Sequence, residues 1–404
     1  MDTVAGTPYF PMPRAVGAPF DPAPDLRRLQ HTDELIKVRL WNGTAAWLVM
    51  GYAAGREILL NPDLSSNPSL PGFPHMTNMT SASSEKDANK GLSFVHKDNP
   101  DHDIERRALA KYFAVRRIDS LRPRIQALVD GLLDDMLRAG PPADFVEAFA
   151  LPLPSLAICE ILGVPYQERD VFQRCSKITA SRSATLEEMT AARVELRKYL
   201  SELAEDKQRN PGDDILTLLG REQALTGEHL ADMSLLLLFA GHETTANMIT
   251  LGTLLLLDNP AILSEIRDSD DPALLGNAIE ELLRYLNITH MGRRRVAQRD
   301  IELCGRTIRA GEGVIITGDT GNRDSRVFPE PDKLDIHRKA RNHVTFGYGI
   351  HQCLGQPLAR LELRVVFGTL FHRIATLRRS VPLSEIPFKE DSIVYGAHSA
   401  PVTW

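Results

Sequence analysis

Cysteine is scarce in this sequence, and its few cysteines are too far apart in the chain to suggest that they act together. They are Cys159, Cys175, Cys304 and Cys353, and their separations match neither a zinc-binding pattern nor a disulfide framework. The pattern therefore gives no indication of a disulfide-stabilised protein from an oxidising compartment. We expect any chemistry at a cysteine to come from one residue acting alone.

An excess of positive charge is also lacking. The formal net charge of −6 gives no general reason to expect nucleic-acid binding. Residues 1–25 are rich in proline and lack the apolar core of a signal peptide or membrane anchor, so we expect them to be irregular. Because the hydrophobic fraction of 43% is ordinary for a globular protein, we predict a soluble, cytoplasmic protein that binds neither membranes nor nucleic acids.

One apolar stretch, residues 235–257, is long enough to raise the question of a membrane span. His242, Glu243 and Asn247 interrupt it, and such polar side chains are costly in lipid. We therefore predict a long buried core helix that ends near residue 257.

The most informative stretch is 345–360, which reads TFGYGIHQCLGQPLAR. Gly347 and Gly349 permit backbone conformations that other residues avoid, and Pro357 suits the first turn of a helix. A cysteine just before a helix lies near unpaired N–H groups and the positive end of the helix dipole, and both favour the thiolate. Cys353 is therefore a candidate nucleophile, redox centre or metal ligand; the alternative is a buried structural cysteine.

This stretch resembles the haem-binding loop of the cytochromes P450, whose pattern is F-x-x-G-x-x-x-C-x-G. The fixed positions are occupied by Phe346, Gly349, Cys353 and Gly355. The resemblance implies that Cys353 is the proximal ligand of the iron in haem b, because a cysteine thiolate holds the haem in this family. It also implies that Phe346, Gly347 and Gly355 belong to the cofactor-binding set.

A second motif lies in the predicted core helix, whose centre reads AGHETTANM. A helical threonine often only bonds the carbonyl one turn earlier, and a buried carboxylate is costly unless it is paired. The residues that match the family pattern A-G-x-D/E-T are Ala240, Gly241, Glu243 and Thr244. The resemblance implies that they cross the oxygen-binding side of the haem, where Glu243 and Thr244 form a catalytic proton relay. We expect His242 to pack the helix and not to bind iron.

Four basic residues are candidates for binding the haem propionates. His102 and Arg106 share one helical face, although an isolated pair of this kind is typical of a solvated surface. Arg295 precedes the apolar pair 296–297, and His351 lies two residues before the cysteine. The resemblance implies that all four bind propionates, since charge-assisted bonds to carboxylates are strong.

Arg295 is the last of three consecutive arginines in a segment that alternates like a strand. We expect the other two, Arg293 and Arg294, to face solvent, or Arg293 to border the substrate.

A helix containing the sequence EELLR places Glu281 and Arg284 three residues apart. As a surface pair they would contribute only tenths of a kcal/mol to stability. The resemblance instead implies the buried E-x-x-R pair of the family, which supports the chain around the cysteine loop, with Arg338 as a third member.

The resemblance covers nearly the whole chain and is greatest to soluble actinobacterial members. It implies a mainly α fold over residues 1–404 as a single domain, a triangular prism of about a dozen helices with small β-sheets. The implied activity is monooxygenation, the hydroxylation or epoxidation of a lipophilic small molecule with O2. The substrates expected are a macrolide, another polyketide, a terpenoid or a xenobiotic, and the loop at 63–100 is expected to help select among them.

The chain has no room for a flavin or ferredoxin module, so electrons are expected from a separate ferredoxin and its NAD(P)H-dependent reductase. A locally basic surface could attract an acidic ferredoxin; its candidate residues are Arg106, Arg107, Lys111, Lys339 and Arg360. We expect a monomer. The alternatives are a haem-thiolate peroxygenase or reductase, which would not need the relay, and a non-catalytic haem sensor.

Overall fold

A computed structural model describes residues 6–76, 94–165, 168–180, 185–221, 227–390 and 392–404. Within these ranges the chain is mainly α-helical, as predicted, and its α-helices are α1 Pro24–Thr32, α2 Tyr52–Leu60, α3 Asp101–Ala110, α4 Val115–Asp119, α5 Arg122–Ala139, α6 Pro152–Leu162, α7 Arg169–Ala180, α8 Leu186–Arg209, α9 Ile215–Arg221, α10 Gly227–Leu257, α11 Pro260–Asp268, α12 Pro272–Tyr285, α13 Gly318–Gly321 and α14 Gln356–Arg373. Much of the predicted substrate-selecting loop, residues 77–93, lies outside the described ranges.

Ten short strands accompany the helices in these ranges. They are β1 Leu35–Arg39, β2 Ala45–Val49, β3 Leu64–Ser65, β4 Ala143–Asp144, β5 Arg293–Ala297, β6 Ile301–Leu303, β7 Arg306–Ile308, β8 Gly313–Ile316, β9 Arg378–Arg379 and β10 Pro401–Thr403. The chain divides into two compact units, the first comprising Met1–Asp103, Asp258–Leu354 and Leu383–Gly396, and the second comprising Ile104–Leu257, Gly355–Pro382 and Ala397–Trp404. The single-domain organisation stays a prediction.

The first unit contains a five-stranded sheet in the order β1-β2-β8-β5-β3. Strands β1 and β2 form an antiparallel hairpin, and Gly43 in the connecting turn has a φ of 81°. Strand β8 runs parallel to β2 and antiparallel to β5. Strand β5 pairs with β8 along Arg293–Val296, whereas β3 pairs only with Val296 and Ala297 at the other end of β5. Strands β6 and β7 form a separate two-stranded sheet.

The second unit is mostly helical, with a three-stranded sheet in the order β4-β10-β9. Helix α10 packs against α6, α8 and α14, and Leu238, Ile249 and Leu254 on it are buried, which confirms the predicted core helix. A side chain at Gly252 would place its Cβ only 2.6 Å from Cζ of Phe367, so glycine permits the close approach of α14. In the described ranges no single helix is long and apolar enough to cross a membrane; α10 and α11 reach that length and composition only together.

Helix α14 carries a carboxyl group in the interior of the second unit. Glu362 is 1% exposed, and its Oε2 has no hydrogen-bond partner among the described residues. Burial raises the pKa of Glu362 to about 8, because the charged form loses its hydration. The folded protein therefore holds a proton here at pH values at which the unfolded chain releases it.

We predict that Glu362→Gln stabilises the protein at alkaline pH. Between the ordinary glutamate pKa of 4.5 and the folded value of about 8, the folded state binds more protons than the unfolded state. The wild type should therefore lose stability as the pH rises through this window, by roughly 1.4 kcal/mol per pH unit. Urea unfolding measured across this pH window should give the variant a higher free energy of unfolding than the wild type, and the difference should grow towards the upper pH. The exposed control Glu205→Gln should show no such trend, and parallel curves for Glu362→Gln and the wild type would contradict the prediction.

Candidate functional site

The loop that presents Cys353 is a tight turn held by its own backbone. The N–H of Cys353 donates to the carbonyl of Phe346 at 2.8 Å. Gly347 and Gly349 have φ values of 78° and 74°, and a Cβ on Gly349 would lie 2.6 Å from the carbonyl oxygen of Leu59. Both positions therefore require glycine. The thiol is exposed, and α14 begins three residues later with a proline in its first turn, as predicted.

The segment that leads into this loop is held by side chains of the first unit. Asn322 Oδ1 accepts the N–H of Val344 at 2.8 Å, and Asn322 Nδ2 donates to the hydroxyl of Thr345 at 2.9 Å. His343 Nδ1 accepts the N–H of Thr345 at 3.2 Å, while its Nε2 lies 3.2 Å from Oε2 of buried Glu280. Because Nδ1 accepts, the ring proton lies on Nε2 and donates to the carboxylate. These bonds fix the backbone that precedes the cysteine loop.

The structure brings two of the predicted propionate-binding residues together. The ring centroids of His102 and His351 are 4.3 Å apart, and His102 is fully buried. Ser66 Oγ lies 3.3 Å from His351 Nε2, and the N–H of Ser66 donates to Asp98 Oδ1 at 3.0 Å. Asp98 also acts electrostatically on buried Arg295 and favours its charged form. His102 thus contacts His351 directly. Ser66 and Asp98 connect His351 to Arg295.

The three arginines of β5 carry more buried positive charge than their surroundings neutralise. Burial lowers the pKa of Arg293 and of Arg295 to about 10, and it also lowers the pKa of Arg294. None of the three forms an ion pair with a carboxylate among the described residues. Nearby His96 has its pKa lowered to about 4, first by burial and then by the charges of Arg294 and Arg295. Such a region fits an anionic group, because buried cations are costly without a counter-charge.

The expectation that Arg294 faces solvent is wrong. Arg294 is half-buried over the ring of Phe73, 5.7 Å from its centroid. The contact with Phe73, which is distant in the chain, covers part of the guanidinium. Arg293 is half-buried as well.

Helix α12 carries a buried ion pair at the predicted E-x-x-R positions. Glu281 and Arg284 are both fully buried, with Nε to Oε2 at 2.7 Å and Nη2 to Oε1 at 2.8 Å. Arg284 Nη1 also donates to the carbonyls of Asn322 and Pro331, at 2.8 Å each. Arg338 Nε donates to Glu281 Oε1 at 3.2 Å. The pair is therefore not a surface pair, and Arg338 occupies the place predicted for a third member.

The middle of α10 is more exposed than the segment of the helix that follows it. Ala240 is exposed, Gly241, Glu243 and Thr244 are half-buried, and residues 245–256 are buried. The Thr244 hydroxyl donates to the carbonyl of Ala240 at 2.6 Å, so its oxygen keeps lone pairs for a further donor. His242 is buried, with Nε2 3.1 Å from the carbonyl of Leu151. This contact agrees with a packing role for His242.

Comparison with known proteins identifies the family. The family described as Cytochrome P450 matches residues 164–378. Pentalenic acid synthase of Streptomyces avermitilis is 45% identical over 406 residues, which cover 100% of this chain and 98% of that protein. The crystal structure of GfsF has a TM-score of 0.94 at 44% identity and covers 98% of this chain and 100% of that chain. The chain belongs to the cytochrome P450 family.

Another relative is 20-oxo-5-O-mycaminosyltylactone 23-monooxygenase of Streptomyces fradiae, 39% identical over 407 residues that cover 100% of this chain and 94% of that protein. This cytochrome P450 has the fold of its family and is a haem-thiolate monooxygenase with haem b as its cofactor, as the resemblance implied. The family uses O2, lipophilic substrates and redox partners such as ferredoxins. The alternatives of a peroxygenase, a reductase or a sensor are not favoured by these relatives.

The roles of the individual residues in haem binding stay predictions. Among these residues, Arg106 is half-buried one turn after His102 on α3, and Gly355 precedes α14. The sequence reasoning missed Ser66 and Asp98. Nothing in the local sequence marks them, because the contacts of Ser66 with Asp98 and His351 arise between segments far apart in the chain.

Proposed function

We propose that this cytochrome P450 inserts one oxygen atom from O2 into a lipophilic natural product, by hydroxylation or epoxidation. The support is the similarity over the full chain to relatives named for pentalenic acid and for a mycaminosyltylactone. The polyketide and terpenoid classes are therefore preferred to xenobiotics.

Haem b, when bound, supplies the activation of O2, and the residues of this chain hold it and control proton supply. Cys353 is proposed as the iron ligand, since it occupies the cysteine position of the haem-binding motif, on a loop closed by its own N–H and the carbonyl of Phe346. His102, Arg106, Arg295 and His351 are proposed to bind the propionates, and the unneutralised arginines of β5 support this assignment. Phe346, Gly347 and Gly355 shape the loop around the ligand.

Glu243 and Thr244 are proposed to supply protons during oxygen reduction. Thr244 is held in one orientation by its bond to the carbonyl of Ala240, so its oxygen can accept a bond from an ordered water. Glu243 is half-buried one residue away, where it can exchange protons with water. An acid and an alcohol in this arrangement can pass protons without opening the site widely to solvent.

We predict that Thr244→Ala consumes NAD(P)H and O2 but forms peroxide instead of product. Product per NAD(P)H should fall at least about tenfold, because a positioned proton donor contributes roughly 10²–10⁴-fold to rate. The measurement compares product, peroxide and O2 uptake in one reaction. Thr250→Ala is the matched control, since the buried Thr250 makes the same kind of bond to a carbonyl one turn earlier, at 2.9 Å. Tight coupling in Thr244→Ala would contradict the relay, and Thr244→Ser should retain coupling.

The electron donor is proposed to be a ferredoxin with its reductase, and the protein is proposed to be a cytoplasmic monomer. Arg107 and Lys111 on and after α3 are exposed and support a basic docking surface in the second unit. Reconstitution tests the whole proposal. A lipophilic library is screened for substrates that shift the Soret band, and each hit is incubated with ferredoxin, reductase and NADPH. Oxygenated product that requires all three supports the proposal. Product formed only with added peroxide would favour a peroxygenase, and no product from any hit would contradict it.

A further inference from the structure

Arg293 lies along the backbone of the cysteine loop, within the first unit. Its Nη2 donates to the carbonyl of Thr345. Gly347 is so close that a Cβ there would lie 3.0 Å from Nε and 3.7 Å from Cζ of this arginine. The guanidinium therefore spans the residues on both sides of Phe346, whose carbonyl accepts the N–H of Cys353. These contacts connect Arg293 to the backbone that sets the position of the cysteine.

Cys353 lies near enough to Arg293 to act on it electrostatically. Burial lowers the pKa of Arg293, and the interaction with Cys353 opposes that shift. No described carboxylate pairs with Arg293. Arg294 differs, because alternation along β5 turns it to the other face of the sheet, over Phe73. Two adjacent cations on one strand thus differ in which face of the sheet they occupy.

We propose that Arg293 is a positioning residue for the Cys353 ligand, which orders the 345–347 backbone and places a positive charge towards the thiolate. This inference rests on the proposed role of Cys353 as iron ligand. A cation near a thiolate withdraws electron density from it, so Arg293 limits how strongly the ligand donates to iron. A nearby positive charge also favours the reduced state of the haem, because reduction adds an electron.

The test uses haem-loaded Arg293→Gln, with Arg294→Gln as a matched control that removes the same charge from the same strand. In Arg293→Gln we expect a more negative reduction potential and a lower C–O stretching frequency in the ferrous CO complex, because a more strongly donating thiolate increases back-donation to CO. In Arg294→Gln both changes should be clearly smaller. Arg293→Lys keeps the charge and should restore most of the potential.

Several outcomes would overturn the inference. Equal shifts of the reduction potential and the C–O frequency in the two glutamine variants would mean that only the net charge of the strand matters, and not the position of Arg293. A shifted potential with an unchanged C–O frequency would mean that Arg293 acts on the propionates and not on the thiolate. If wild-type protein lacked the red-shifted Soret band of a thiolate ligand, the proposed role of Cys353 itself would fail. If the wild type showed that band and Arg293→Gln matched it in potential and C–O frequency, only the inference about Arg293 would fail.

Discussion

Cys353→Ser should abolish the red-shifted Soret band of the ferrous CO complex and reduce monooxygenation to background. Serine has nearly the same size as cysteine, so the loop closed by the N–H of residue 353 and the carbonyl of Phe346 should persist. Its hydroxyl stays protonated at neutral pH, however, and lacks the electron donation by which a thiolate promotes O–O cleavage. The change is therefore chemical and not structural, and it should be the largest effect on activity of any single substitution in this chain.

The measurement is an absorbance spectrum of reduced protein with CO, taken with the haem content of each preparation. Cys304→Ser is the matched control, because Cys304 is the other exposed cysteine among the described residues and lies in the turn between β6 and β7. It should leave the spectrum and the activity unchanged. A normal red-shifted band in Cys353→Ser would show that another side chain binds the iron.

The features that could be predicted from the sequence are those determined over short distances along the chain. The i,i+3 spacing of Glu281 and Arg284 makes their contact geometrically possible on any helix, and the long cysteine motif specifies Gly349, one of the two glycines that the loop needs. The length and apolar character of 235–257 likewise indicate the buried helix α10. In each case the sequence signal that allows the prediction lies within one helix or one loop.

What could not be predicted depends on packing between distant segments. Arg293 and Arg294 are charged and precede a turn-rich region, so their sequence suggests exposure. They are half-buried because segments distant in the chain pack on them: β8 pairs with both, Phe73 packs against Arg294, and the cysteine loop packs against Arg293. The Ser66–Asp98 contact beside His351 has the same origin, since its partners come together only when β3 and the segment before α3 are in place.

Glu281→Gln should cost the largest amount of stability, about 3–5 kcal/mol, because it leaves the buried Arg284 without its counter-charge. The two carboxylate oxygens accept Nε and Nη2 of Arg284, Nε of Arg338 at 3.2 Å and the N–H of Asp335 at 2.9 Å. A glutamine has the same shape but offers a single acceptor oxygen, and its amide group would place a second donor against the guanidinium. The buried position prevents water from compensating for the lost bonds.

The loss should extend to haem retention, since Arg284 also bonds the carbonyl of Asn322, whose side chain fixes Val344 and Thr345 ahead of the cysteine loop. Urea unfolding followed by circular dichroism gives the stability, and absorbance gives the haem lost over time. The matched control is Asp135→Asn, which breaks an exposed i,i+3 pair with Arg138 and should cost less than about 1 kcal/mol. If Glu281→Gln proved as mild as this control, the buried pair would not be what stabilises the chain ahead of Cys353.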